Sequence, residues 1–77
     1  MQTIAGRKPN RAFQAAREAK GWTQSFLSVE FGVSRTIISD IERYGRVPGP
    51  QLRAKLAAAL DVPEWELWPQ KPDEVTE

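Results

Sequence analysis

The sequence predicts an all-α fold, a compact bundle of about five short helices. Three observations predict it. Apolar residues recur at helical rather than alternating spacing. Helix-capping residues, glycines and prolines divide the chain into five segments. No internal repeat and no strand-like alternation is visible.

The first segment opens after Pro9-Asn10, with Asn10 the N-cap, and runs from Arg11 to Lys20 before Gly21. Phe13 and Ala16 share its inward face, and Trp22 lies just beyond its end. The second is capped by Thr23 and runs from Gln24 to Phe31, with Leu27, Ser28 and Phe31 inward and Gly32 ending it. Ser34 caps the third, Arg35 to Tyr44, whose inward residues are Ile38 and Ile41. The Gly32-Val33-Ser34 turn is so short that these two helices must cross steeply and share a buried corner. The stretch from Gly45 to Pro50 is a loop by composition, and Pro50 suits the first position of a fourth helix ending near Leu60. Leu52, Leu56, Ala59 and Leu60 lie on or near one side of it. Asp61 and Pro63 are expected to open a short fifth helix carrying Trp65, Leu67 and Trp68, and Pro69 stops it. Trp22 and Trp68 are expected in the core. Trp65 is expected to point outwards, where a large aromatic is a candidate dimer contact. The expected organisation is a flexible arm over 1–9, one domain over 10–69 and a disordered acidic tail over 70–77.

Composition narrows the chemistry. The 77 residues include no histidine and no cysteine. That excludes disulfides, thiolate or imidazole metal sites and an imidazole general base. There is also no glycine-rich phosphate loop, so no enzymatic activity, cofactor, metal or small-molecule ligand is expected. No apolar stretch approaches the roughly 20 residues of a membrane span, and no apolar signal core is seen near Met1. A cytoplasmic, nucleoid-associated protein is the expectation, with no membrane partner. The net charge is only +1, but it is unevenly spread. Residues 1–47 hold eight basic against four acidic side chains, and residues 48–77 three against six. A phosphate-facing surface would be drawn from the first half.

Residues Thr23 to Arg43 have the layout of a helix-turn-helix. Ser28 is small where the second helix of the pair must approach, Gly32 suits the turn, and Val33, Ile38 and Ile41 pin that helix. The outer residues Arg35, Thr36, Ile37, Ser39 and Asp40 then form the stripe that a helix in a major groove turns towards base edges.

Over about residues 10–68 the chain resembles the Cro and lambda-repressor-like family, also called the XRE family. Arg17 stands seven residues before Gln24, and Glu42 lies at the end of the third helix, as in the family. Leu56, Ala57, Leu60, Val62 and Leu67 match its apolar pattern. The resemblance implies a lambda-repressor-like fold and a structural ion pair between Arg17 and Glu42. It implies base reading by Arg35 and Thr36, with Ile37 and Ser39 secondary. It implies phosphate contacts from Thr23, Gln24, Ser34, Arg43 and Arg46, with Gln24 also bracing the recognition helix. Three departures stand out. Asp40 replaces a residue that is often polar or basic, and is read either as a cytosine acceptor or as a partner holding Arg35. Tyr44 replaces the usual glycine, and its hydroxyl is a candidate phosphate contact. Phe26 and Val29 are apolar where the family is often polar, and either thicken the core or form a contact patch. The implied function is sequence-specific binding of double-stranded DNA, as a homodimer on an inverted-repeat operator, by a phage, prophage or mobile-element repressor. The alternative is a protein-interaction module of the same fold, such as an antitoxin or sequestering factor.

Overall fold

The computed structural model describes residues 9–69. The expected arm, apart from Pro9, and the expected acidic tail lie outside the described residues. Among these residues the secondary structure is five helices and no strand: α1 (Arg11–Ala19), α2 (Gln24–Phe31), α3 (Arg35–Tyr44), α4 (Pro50–Leu60) and α5 (Glu64–Leu67). The chain divides into two compact units, Met1–Arg46 and Val47–Glu77.

In the first unit, three side-chain caps set the helix starts by satisfying first-turn amides that have no partner within the helix. Asn10 Oδ1 accepts from Phe13 N, Thr23 Oγ1 from Phe26 N, and Ser34 Oγ from Ile37 N. α3 packs against both α1 and α2. The core of this unit is Phe13, Leu27, Ile38 and Ile41, each fully buried. At the turn between α2 and α3, Gly32 takes a left-handed conformation (φ 66°), and the next amide, that of Val33, closes onto the Ser28 carbonyl at 3.0 Å. A side chain at Gly32 would meet nothing within 4 Å. The glycine is therefore required by the backbone and not by crowding.

The inward face of α1 differs from expectation. Ala16 is only half-buried, while the charged Arg17 is buried beside Phe13. Trp22 is half-buried rather than core. Its ring lies 5.2 Å from that of Phe26, which is itself 42% exposed. Having followed the end of α1, Trp22 packs along the outer edge of α2.

In the second unit, Pro50 occupies the first turn of α4. Leu56, Ala57, Leu60, Leu67 and Trp68 are buried there, and α4 packs on α5. Leu52 and Ala59 are half-buried. Asp61 does not open α5. It closes α4 in a left-handed conformation (φ 65°), which aspartate tolerates better than most residues, and Pro63 precedes α5 instead. Arg53 is buried as well. Its guanidinium reaches Glu64 Oε1 and the Pro48 carbonyl, both at 3.2 Å.

Candidate nucleic-acid interface

The candidate interface is built on α3, which has two unlike sides. Ile38, Ile41 and Glu42 face inward and are buried. Arg35, Thr36, Arg43 and Tyr44 are exposed, and Ile37, Ser39 and Asp40 are half-buried. Thr36, Asp40 and Arg43 follow one another at i, i+4 and i+7, the spacing of a single helical face. That face lies opposite the isoleucines.

A polar cluster fixes the position of α3. Arg17 of α1 donates from Nε to Glu42 Oε2 at 2.5 Å and from Nη2 to Glu42 Oε1 at 3.1 Å. A third donation, from Nη1, reaches the Trp22 carbonyl at 2.6 Å. Hydrogen bonding to Glu42 raises the Arg17 pKa above its ordinary value; burial opposes this, and the nearby Glu42 and Glu18 charges reinforce it. An arginine shifted this way stabilises the fold at every pH below the normal arginine range, and only strong alkali removes the effect. Gln24, the first residue of α2, donates from Nε2 to Glu42 Oε1 at 3.0 Å. The backbone adds a fifth hydrogen bond to the cluster, from Asn10 N to the Glu42 carbonyl at 2.9 Å. One carboxylate thus joins α1, α2 and α3.

The residues expected to hold phosphate are placed as follows. Thr23 and Ser34 are exposed at the starts of α2 and α3. Capping uses their oxygens as acceptors and leaves each hydroxyl hydrogen free to donate. Gln24 spends one amide hydrogen on Glu42 and keeps a second. The Arg43 guanidinium lies 5.7 Å from the centre of the Tyr44 ring. Tyr44 ends α3 and is 38% exposed; Gly45, one residue later, takes the left-handed capping position (φ 71°).

Asp40 departs from one of its two expected roles. Its carboxylate pairs with Arg46, Oδ2 to Nη1 at 3.5 Å, rather than with Arg35. Arg35 is five residues away on the same helix, about 140° around it, whereas helical neighbours are three or four residues apart. The turn at Gly45 brings the chain back, so that Arg46 N donates to the Asp40 carbonyl at 3.2 Å. Trp65, on α5 in the second unit, is 67% exposed. Sequence reasoning missed Arg53 and Glu64, a pair within the second unit.

The described residues contain no group of three or more histidine, cysteine, aspartate or glutamate side chains able to hold a metal ion. No described helix is long and apolar enough to cross a membrane.

Comparison with known proteins adds two findings. Residues 13–67 match a protein family described as Helix-turn-helix. Over 60 residues, 78% of the chain, the sequence is 33% identical to Multiprotein-bridging factor 1 of Schizosaccharomyces pombe; the match takes in 40% of that protein's length. No solved structure matches. Since the family match spans most of the chain and includes the whole of α2 and α3, the protein belongs to the helix-turn-helix family of Cro and lambda-repressor-like (XRE) type, whose domain is a DNA-binding, non-enzymatic one.

Proposed function

We propose that this chain is a sequence-specific regulator of transcription that lays α3 in the major groove of double-stranded DNA. One observation carries the reading: Ile38 and Ile41 are wholly buried while Arg35 and Thr36, on the same helix, are exposed. A helix anchored from behind with polar residues in front has the form that groove reading requires. Arg35 and Thr36 are the principal base readers, and the Arg35 guanidinium matches the O6 and N7 acceptors of guanine. Ile37, Ser39 and Asp40 read adjoining positions. Thr23, Gln24, Ser34, Arg43, Tyr44 and Arg46 hold the backbone on either side and set the register. Gln24 couples the two tasks, because it braces Glu42 on α3 while presenting an amide hydrogen to phosphate.

In this reading residues 10–69 form the binding domain, and two copies occupy an inverted repeat, with Trp65 a contact between them. Half-sites lie about 34–36 Å apart, one helical turn. Regulation by occupancy suits a repressor of the phage or mobile-element kind acting at the nucleoid.

A second reading is a protein-interaction module. Phe26 (42% exposed) and Val29 (81% exposed) on α2 favour it, as does the similarity to Multiprotein-bridging factor 1 of Schizosaccharomyces pombe, a protein named for bridging between proteins. Titration into mixed-sequence duplex at low and moderate salt separates the two. A DNA regulator binds at low salt and weakens steeply as salt rises, because binding releases counterions. Absence of binding at low salt would favour the interaction module.

A further inference from the structure

We propose that Asp40 is a specificity-determining residue that works through Arg46, coupling a base contact on α3 to a phosphate contact just past its end. The inference rests on the DNA-binding reading above and deepens it.

Asp40 sits mid-way along the outer face of α3, between Thr36 and Arg43. A carboxylate there repels phosphate, which is unexpected on a groove-facing surface. Its charge is not idle, however: Oδ2 lies 3.5 Å from Arg46 Nη1. The backbone holds Arg46 in reach, since both Gly45 N and Arg46 N donate to the Asp40 carbonyl. The arginine's position is thus set by the main chain, while its guanidinium remains exchangeable. Side-chain exposures of 30% for Asp40 and 49% for Arg46 leave the pair open to water, and such a pair is weak. Arg43, the other cation at this end of α3, lies against Tyr44.

The two partners can therefore separate when each finds a better one. On a duplex offering no donor to Asp40, the carboxylate keeps Arg46 and cancels a charge that would otherwise serve sequence-independent binding. Where the groove presents a cytosine, its N4 amino group donates to the carboxylate. Arg46 is then released to a neighbouring phosphate. The phosphate contact is made only when the base contact is made, so one base pair controls two interactions.

The test uses the full chain and three variants, Asp40→Asn, Arg46→Ala and the double variant, with circular dichroism as the folding control. Binding is followed by fluorescence anisotropy over a salt series, on a scrambled duplex and on the duplex recovered by selection. Asp40→Asn is expected to steepen the salt dependence on scrambled duplex by about 0.9 in log–log slope, one phosphate on B-DNA. The preference for the selected duplex should fall roughly tenfold, the scale of one lost base discrimination. The steeper slope should not occur when Arg46 is already alanine, and the fall in preference should be smaller there, because only the direct base contact is then lost. An unchanged slope in Asp40→Asn overturns the proposal, as does an equal increase in both backgrounds, which would mean that the carboxylate repels phosphate unaided. If the unmodified protein bound no duplex at all, this inference and the DNA-binding reading would fall together. Normal binding with an unaltered slope removes only the inference.

Discussion

Arg17 of α1 grips Glu42 of α3 with two guanidinium nitrogens, and both side chains are nearly withdrawn from water, at 11% and 7% exposure. The position of the candidate recognition helix therefore depends on a charge pair as well as on Ile38 and Ile41. Burying two charges is costly, and the pair is tolerable because its remaining valences are met by Gln24 and the Trp22 carbonyl.

Removing one partner should strand the other. Arg17→Ala is expected to destabilise the fold by about 3–5 kcal/mol, a large share of what so small a domain has. Arg17→Lys should recover little, since lysine cannot reproduce the two-pronged geometry. Gln24→Ala should cost less, about 1.5–3 kcal/mol, because the principal pair survives. Urea denaturation of the three variants measures the order. Equal losses for Gln24→Ala and Arg17→Ala would contradict it.

Gly32 offers a test of backbone strain without a steric complication. Gly32→Ala should cost about 1–2 kcal/mol through the left-handed conformation alone. Gly32→Asn should cost less, because asparagine visits that region more readily. Thermal melts of both variants give the comparison, and indistinguishable losses would point to a clash instead.

Arg53 holds the second unit through Glu64 and the Pro48 carbonyl. Arg53→Ala is expected to destabilise the protein by at least about 1.5–3 kcal/mol, the scale of a hydrogen bond to a charged group. Glu64→Gln keeps an acceptor and should cost clearly less. Chemical denaturation decides between this and a merely solvated arginine, for which both substitutions would be near neutral.

Trp65 bears on assembly. If it joins two copies on DNA, Trp65→Ser should leave the fold intact, given the residue's 67% exposure, while abolishing cooperative occupancy of an inverted repeat. Analytical ultracentrifugation with and without duplex reads this directly. Unchanged cooperativity in the variant would remove the tryptophan from the interface.

Much of this was legible in the sequence wherever local chemistry decides the outcome. Thr23, Ser34 and Gly32 bound α2 and α3 at the residues where their side chains, or the lack of one, satisfy helix ends. Ile38 and Ile41 are inward because their spacing permits little else. The Arg17–Glu42 contact joins residues 25 apart and was reachable only through resemblance to a family. Non-local polar contacts were otherwise hidden. Arg53 reads as a solvated charge until its buried surroundings and Glu64 are seen, and nothing periodic links Asp40 to Arg46, because a turn brings them together. Asp61 misled for a related reason: aspartate serves both to open helices and to close them in a left-handed turn, and its backbone angle decides which.

The reading of α3 is tested most directly by selecting bound duplexes from a random pool with the unmodified chain and with Arg35→Ala in parallel. The unmodified protein should enrich one short half-site, and the variant should recover the same site with one position relaxed, at a cost of about 1–3 kcal/mol in specific binding. Enrichment of an identical site by both, or of none by the unmodified chain, would contradict the assignment of α3 as the reading helix.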